Sequence, residues 1–316
     1  MECTSGSHLR SQRKAQTLCY YLPDVRLLRT KNYIPAYYSK RSATSLGDIQ
    51  YRAVLHYHYD FQLCLSWAWL GGRDSRMLEA LSGVSIELAD NSITAIVGES
   101  GSGKSTLARI LSYIERPDAG KVTLDDLTLT DAKTKTLQKV RGKVQLVMQD
   151  AVSSLDPHQN VLQILDEPLH LLLDMGKEDR KKRVEELLDM VNLGEDILNR
   201  RPDELSGGQQ KRLCVARALA TEPQHIIFDE SFSGLDVTLR KQILHLLRNL
   251  RDELRLSYLI ITHDLDIAMY MADTIHVMRF GKIIETVYKP QSFSDFHEPY
   301  SNELVKAALS KRQALQ

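Results

Sequence analysis

Nine residues constrain this chain more than any others: GESGSGKST at 98–106 matches GxxxxGK[ST] and lies between an apolar stretch at 93–97 and a helix-like stretch at 105–114. A strand, a glycine-rich turn and a helix in that order form a cradle for phosphate. Gly98, Gly101 and Gly103 let the backbone curl so that successive N–H groups point inward, where a Cβ would obstruct an anion. Glu99, Ser100 and Ser102 complete the turn, and the helix opening at Ser105 and Thr106 adds the positive end of its dipole. Lys104 can then reach the β and γ phosphates of a nucleotide, and the Ser105 hydroxyl can ligate Mg²⁺. The flanking pattern argues against a chance glycine-serine turn.

Two further stretches belong with this loop. The apolar run HIIFDE at 225–230 reads as a strand ending in two carboxylates. Asp229 at its tip is placed to hold Mg²⁺ through water, while Glu230 points elsewhere and can polarise an attacking water. Many strands end in Asp-Glu before a helix, so the phosphate loop on the same chain is what makes the catalytic reading. In LSGGQQ at 205–210, Ser206, Gly207, Gly208 and Gln209 precede a helix expected from about Lys211 and form a second backbone nest. One compact subunit does not easily turn two such nests on a single γ-phosphate. The pattern therefore implies two subunits sharing nucleotides across an interface.

Composition narrows the classes. At 316 residues and 43% hydrophobic, the chain can bury a real core as one large domain or two small ones. Lys plus Arg and Asp plus Glu both number 41, so no global charge draws the chain to nucleic acid or an anionic membrane. Cys3, Cys19, Cys64 and Cys214 are scattered without metal-ligand spacing, which fits a reduced compartment. No apolar stretch follows Arg10, Arg13 and Lys14, so no secretory signal is expected. The patches at 63–70 and 169–173 fall far short of the roughly 20 residues of a spanning helix.

The remaining pattern is α/β with an interruption. Residues 1–48 have a basic excess and no sustained period, and read as a tail without an assigned function. A strand is expected after Ile49, rich in Tyr51, Val54, Tyr57 and Tyr59. Strands follow at 84–88 and 93–97, with a strand region at 122–129. A helix-rich block, about 150–205, then carries Val184, Leu187, Leu188 and Val191 on one face, behind a basic run at 177–183 read as a solvated face. Helices at 211–220 and 239–254, strands at 225–228 and 257–262, and a hairpin around Phe280 and Gly281 return the chain to α/β.

GESGSGKST, LSGGQQ, IIFDE, the following Ser233-Gly-Leu-Asp236, and His263 after the strand at 257–262 together resemble the ATP-binding subunits of ABC transporters, in the family's order and spacing over about residues 78–290. The resemblance implies a P-loop NTPase core, here 49–290, with an inserted helical subdomain and an antiparallel β region. It further implies a sandwich dimer in which Lys104 faces Ser206 of a homologous, different subunit, with ATP and Mg²⁺ between them. Glu230 would be the general base, His263 would contact the γ-phosphate and hold the attacking water, Asp236 would link the two sites, and Gln149 would reach Mg²⁺ or the water. An aromatic on the first strand should stack on adenine; Tyr57, Tyr59 and Phe61 are candidates, and Tyr59 is favoured. At 231–232, Ser-Phe stands where the commonest family form has Pro-Thr, which puts that loop's geometry in question.

Within the family, QDAVSSLDP at 149–157 is similar to the QDPxxSLNPR wording of the oligopeptide, dipeptide and nickel importers, with Ala151 and His158 as departures. HEPYSNELVKAA at 297–308, which includes Tyr300, is similar to the HPYTxxLxxA tail of the same group, with Glu298 inserted between His297 and Pro299, within a C-terminal segment 291–316. This resemblance implies two integral permeases, an indirect solute-binding partner, no nucleic acid, and a peripheral place on the cytoplasmic face of the inner membrane. An ATPase serving a soluble complex such as carbon-phosphorus lyase is the alternative. Translation or DNA-repair members should carry tandem domains or a coiled-coil insertion, and neither is seen.

Overall fold

The structure, a computed structural model, describes residues 18–21 and 79–314, apart from 131, 133–136, 138, 139 and 174. The strand expected after Ile49, with Tyr57, Tyr59 and Phe61, lies outside the described residues. A six-stranded sheet organises the rest. Its strands are β3 (Ile93–Val97), β6 (Val144–Val147), β7 (His225–Asp229), β8 (Ser257–Thr262), β9 (Thr274–Arg279) and β10 (Lys282–Tyr288), in the order β10-β9-β3-β8-β7-β6. All pairings are parallel except the β9–β10 hairpin.

ITAIV, HIIFD and SYLIIT lack alternation because β3, β7 and β8 are buried at every position. Successive side chains still go to opposite faces: Ile226, Phe228, Tyr258 and Ile260 join one core cluster, while Ile227, Leu259 and Ile261 join another. The second cluster is closed by Leu107, Ile110 and Leu111 of α1 (Lys104–Leu111) and by the antiparallel sheet. That sheet runs β2-β1-β4-β5, from β1 (Leu18–Tyr21), β2 (Ser85–Leu88), β4 (Lys121–Leu124) and β5 (Leu127–Thr128). β1 lies between β2 and β4, pairing Tyr20 with both Ile86 and Val122. The N-terminal stretch read as a tail thus contains a central strand of the second sheet.

The first cluster continues into the helical block of α2 (Val161–Leu172) and α3 (Lys177–Met190), and then into α4 (Gly207–Leu219) and α5 (Val237–Leu254). Asn160 caps α2 in a capping box with Gln163. Val184, Leu187, Leu188 and Val191 are fully buried, as their spacing predicts. The basic run is only partly solvated: Lys177, Lys181 and Lys182 are exposed, but Arg180 pairs with Asp166 of α2 at 2.6 Å and Arg183 with Glu186 at 3.0 Å. The third cluster packs α6 (Leu265–Met271) and α7 (Pro299–Ala314) against β3, β9 and β10 through Ala95, Val97, Ile275, Tyr300 and Val305. No helix among the described residues is long and apolar enough to cross a membrane.

Candidate active site

Because β3, β6, β7 and β8 run parallel, their carboxyl ends share one edge of the sheet, and each end carries a motif residue. β3 leads into the phosphate loop, β6 toward Gln149, β7 ends on Asp229, and β8 leads to His263. The loop sits tightly against the β9–β10 hairpin. A Cβ on Gly98 would collide with the Met278 carbonyl, and Gly103 combines φ of 104° with an Ala80 carbonyl 2.5 Å from where its Cβ would lie. Gly281 N–H donates to the Ser102 carbonyl at 2.9 Å, joining hairpin to loop.

Lys104 is the first residue of α1, one earlier than expected, and is buried within the loop. Its ammonium donates to the carbonyls of Gly98 (2.9 Å) and Glu99 (2.7 Å) and to Ser102 Oγ (3.3 Å). Burial lowers its pKa, against the nearby carboxylates of Glu230, Asp229 and Glu99. Ser105 Oγ donates to Asp229 Oδ1 at 3.2 Å, which brings together residues 124 positions apart. Burial raises the Asp229 pKa, and the Ser105 hydrogen bond opposes that rise.

Glu230 follows with φ of 47°, a conformation that β-carbon residues seldom adopt, held by its N–H donating to the Ile261 carbonyl at 2.9 Å. From this turn its carboxylate Oε2 lies 3.4 Å from Nδ1 of His263, the residue that follows β8. The unusual Ser231-Phe232 pair fits without disrupting the loop. Ser231 Oγ is buried and 2.7 Å from the Val147 carbonyl it donates to, tying β7 to β6, and Phe232 packs on Phe228 with ring centroids 5.4 Å apart. Asp236 caps α5, accepting from Leu239 N–H at 2.9 Å.

Hydrogen bonds, a close Glu–His pair and mutual charge effects thus link Lys104, Ser105, Asp229, Glu230 and His263, while the hydrogen bonds of Gln149 and of the Ser206 nest lead elsewhere. Gln149 is exposed, and its carbonyl accepts from Lys211 of α4 at 3.4 Å. Ser206 is an exposed N-cap: its hydroxyl accepts from Gln209 N–H at 3.3 Å, and Gln209 Oε1 accepts from Ser206 N–H at 2.9 Å. That capping box starts α4 at Gly207, four residues before the position expected from the apolar pattern. Among the described residues no hydrogen bond joins this nest to the phosphate loop of the same chain. Tyr59 lies outside the described residues.

Two contacts have no counterpart in the sequence reading. Arg240, one turn into α5, pairs with Asp264 Oδ2 at 3.1 Å and donates to the Leu235 carbonyl at 3.0 Å, linking the segment before Asp236 to the one after His263. Tyr300 accepts a hydrogen bond from Glu99 N–H at 3.0 Å, although 201 residues separate them. The pattern held no signal for either contact beyond the tail wording that includes Tyr300.

A family model described as ABC transporter matches residues 81–233. The chain is 40% identical over 234 residues to the dipeptide transport ATP-binding protein DppF of Escherichia coli, covering 73% of this chain and 70% of that one. It is 38% identical over 229 residues to the nickel import ATP-binding protein NikE of Brucella abortus, covering 72% and 86%. Among solved structures it resembles the dimeric ATP-binding cassette MJ0796 in a post-hydrolysis state with ADP and Pi, at a TM-score of 0.63 and 31% identity, covering 70% of this chain and 96% of that one. These likenesses and the α/β core agree, and the chain belongs to the ATP-binding, ATP-hydrolysing subunits of ABC transporters, in the group of the peptide and nickel importers.

Proposed function

We propose that this chain contributes one half of each of two composite ATPase sites and powers uptake of peptides or nickel and metal chelates through membrane permeases. The observation that carries the reading is the meeting, at one sheet edge, of a buried lysine, a hydroxyl–carboxylate pair and a glutamate facing a histidine. Residues 98–106 cradle the phosphates, and Lys104 keeps its Gly98 carbonyl while turning its other N–H donors from the loop to phosphate oxygens. Ser105 Oγ and Asp229 are hard oxygen donors side by side, which suits Mg²⁺; that ion takes few protein ligands and completes its shell with phosphate and water. When bound, Mg²⁺ supplies charge neutralisation to the transferring phosphate. Glu230 accepts the proton of the attacking water, and His263 orients Glu230 and contacts the γ-phosphate.

The nest at Ser206, Gly207, Gly208 and Gln209 serves the nucleotide held by a second, homologous subunit, with Asp236 between the two sites. The Gln149 loop and helical block carry the motion of closure to two integral permeases, which places this chain peripherally on the cytoplasmic face of the membrane. An external solute-binding protein acts indirectly. Tyr59 is proposed to stack on adenine. Relatives named for dipeptide and nickel import favour transport over a soluble-complex role.

Glu230→Gln is expected to lower steady-state hydrolysis by about 100-fold or more, in the range of general-base losses, while ATP binding survives and dimers accumulate. Hydrolysis rate and size-exclusion mass check this together. Normal turnover in the variant contradicts the assignment of Glu230 as base.

A further inference from the structure

The C-terminal α7 meets the nucleotide edge at both of its ends. At its start, Tyr300 is 3% exposed among Val97, Phe296 and Val305, and its phenol oxygen accepts from Glu99 N–H at 3.0 Å. The Arg279 guanidinium lies over the Tyr300 ring, 4.4 Å from its centroid. At the far end, Lys311 Nζ is 3.5 Å from Asp264 Oδ2, and Arg312 Nε is 2.9 Å from Asp266 Oδ1, in the segment that follows His263. The far-end pairs are exposed and contribute little. The Tyr300 contact is buried and acts on the loop itself.

Its consequence follows from peptide geometry. The N–H of Glu99 and the carbonyl of Gly98 belong to one peptide unit, which is planar and trans, so they point in opposite directions. With the N–H held by Tyr300, the carbonyl is turned the other way, where it accepts from Lys104 Nζ at 2.9 Å. A side chain from the C-terminal helix thus sets the orientation of the peptide that positions the phosphate-binding lysine.

We propose that Tyr300 is a positioning residue for nucleotide binding: its phenol oxygen holds the 98–99 peptide so that the loop and Lys104 are preorganised for phosphate. This rests on reading residues 98–106 as the ATP phosphate loop. Tyr300→Phe keeps the ring over Arg279 and the packing of α7, and removes only the acceptor. Its expected effect is a threefold-to-tenfold weaker dissociation constant for ADP, about the worth of one net hydrogen bond. The hydrolysis kcat should stay within about twofold, because the contact is made before and during the reaction alike.

The experiment is calorimetric titration of MgADP into the full-length chain, wild type beside Tyr300→Phe and Lys104→Ala, with amide hydrogen exchange at Glu99. Weaker binding in Tyr300→Phe, with a Tm within about 4 °C of wild type, supports the proposal. Wild-type affinity in Tyr300→Phe, while Lys104→Ala loses binding, overturns it, since a packing role alone is preserved by Phe. Rapid exchange of the Glu99 amide in wild type overturns it even if the variant does not fold. No ADP binding by wild type would instead overturn the reading of the loop itself.

Discussion

The two nests of this chain, so alike in composition, sit in opposite physical settings. Around the phosphate loop nearly every group is tied within the chain. Lys104 has three loop acceptors, Ser105 meets Asp229, Glu99 meets Tyr300, and the hairpin at Gly281 holds Ser102. Around Ser206 the ties are local: a capping box closes on itself three residues away and leaves the nest facing solvent. A glycine-rich turn held from several sides is ready for a ligand alone. One whose capping hydrogen bonds stay within its own helix start awaits a surface from elsewhere, as the shared-site reading requires.

The contrast extends to what lies behind each nest. The phosphate loop is backed by strands buried on both faces, whereas the Ser206 nest leans on the helical block, whose inner face is Val184, Leu187 and Leu188. Leu187→Ala should therefore divide the regions. It is expected to cost about 2–5 kcal/mol of stability, as large-to-small core changes do, while ADP affinity at the phosphate loop stays within about twofold. Denaturant unfolding and nucleotide titration of the same sample check this, and an equal loss in both would erase the distinction.

Acid should act on the opposite side. His225 at the start of β7 and His276 within β9 are buried, with burial first and, for His225, the neighbouring Lys143 lowering their pKa values to about 4 from 6.5. His276 also shares a 2.8 Å hydrogen bond with Thr286 Oγ1. Both are held neutral in the fold, so their contribution is full above pH 6.5 and is lost as pH falls through that value toward 4. Tm followed by circular dichroism should be level from pH 8 to about 6.5 and then fall with acid, in accord with that linkage. Replacing His276 with Gln should shrink the fall, and a level Tm down to about pH 4.5 would contradict the linkage.

How much of this was legible beforehand depends on what determines each feature. Lys104, Asp229, Glu230 and His263 were legible because parallel strands deliver their carboxyl ends to one edge, so motifs at strand ends must meet. Helix starts were less so. Gly207 and Gly208 have poor helix propensity, yet the Ser206–Gln209 capping box draws them into the first turn of α4. Leu18–Tyr21 was missed because its strand character comes from β2 and β4, more than 60 residues away, not from any local period. The Tyr300–Glu99 and Arg240–Asp264 contacts are tertiary meetings that no spacing rule encodes. Ser231-Phe232, flagged as a departure, proved compatible because a hydroxyl can bond the β6 carbonyl and Phe232 has Phe228 to pack on.

The account stands most directly on one measurement: Ser206→Arg in the assembled pair of ATP-binding subunits, read by nucleotide bound to this chain's own loop and by hydrolysis at the partner's site. The substitution fills the nest with a long side chain and leaves the phosphate loop untouched. The account predicts unchanged ATP affinity at this chain's loop together with a fall of about 100-fold in hydrolysis at the site the nest completes, comparable to losing a transition-state donor. Loss of ATP from the chain's own loop, or hydrolysis that continues unchanged, would contradict the shared site.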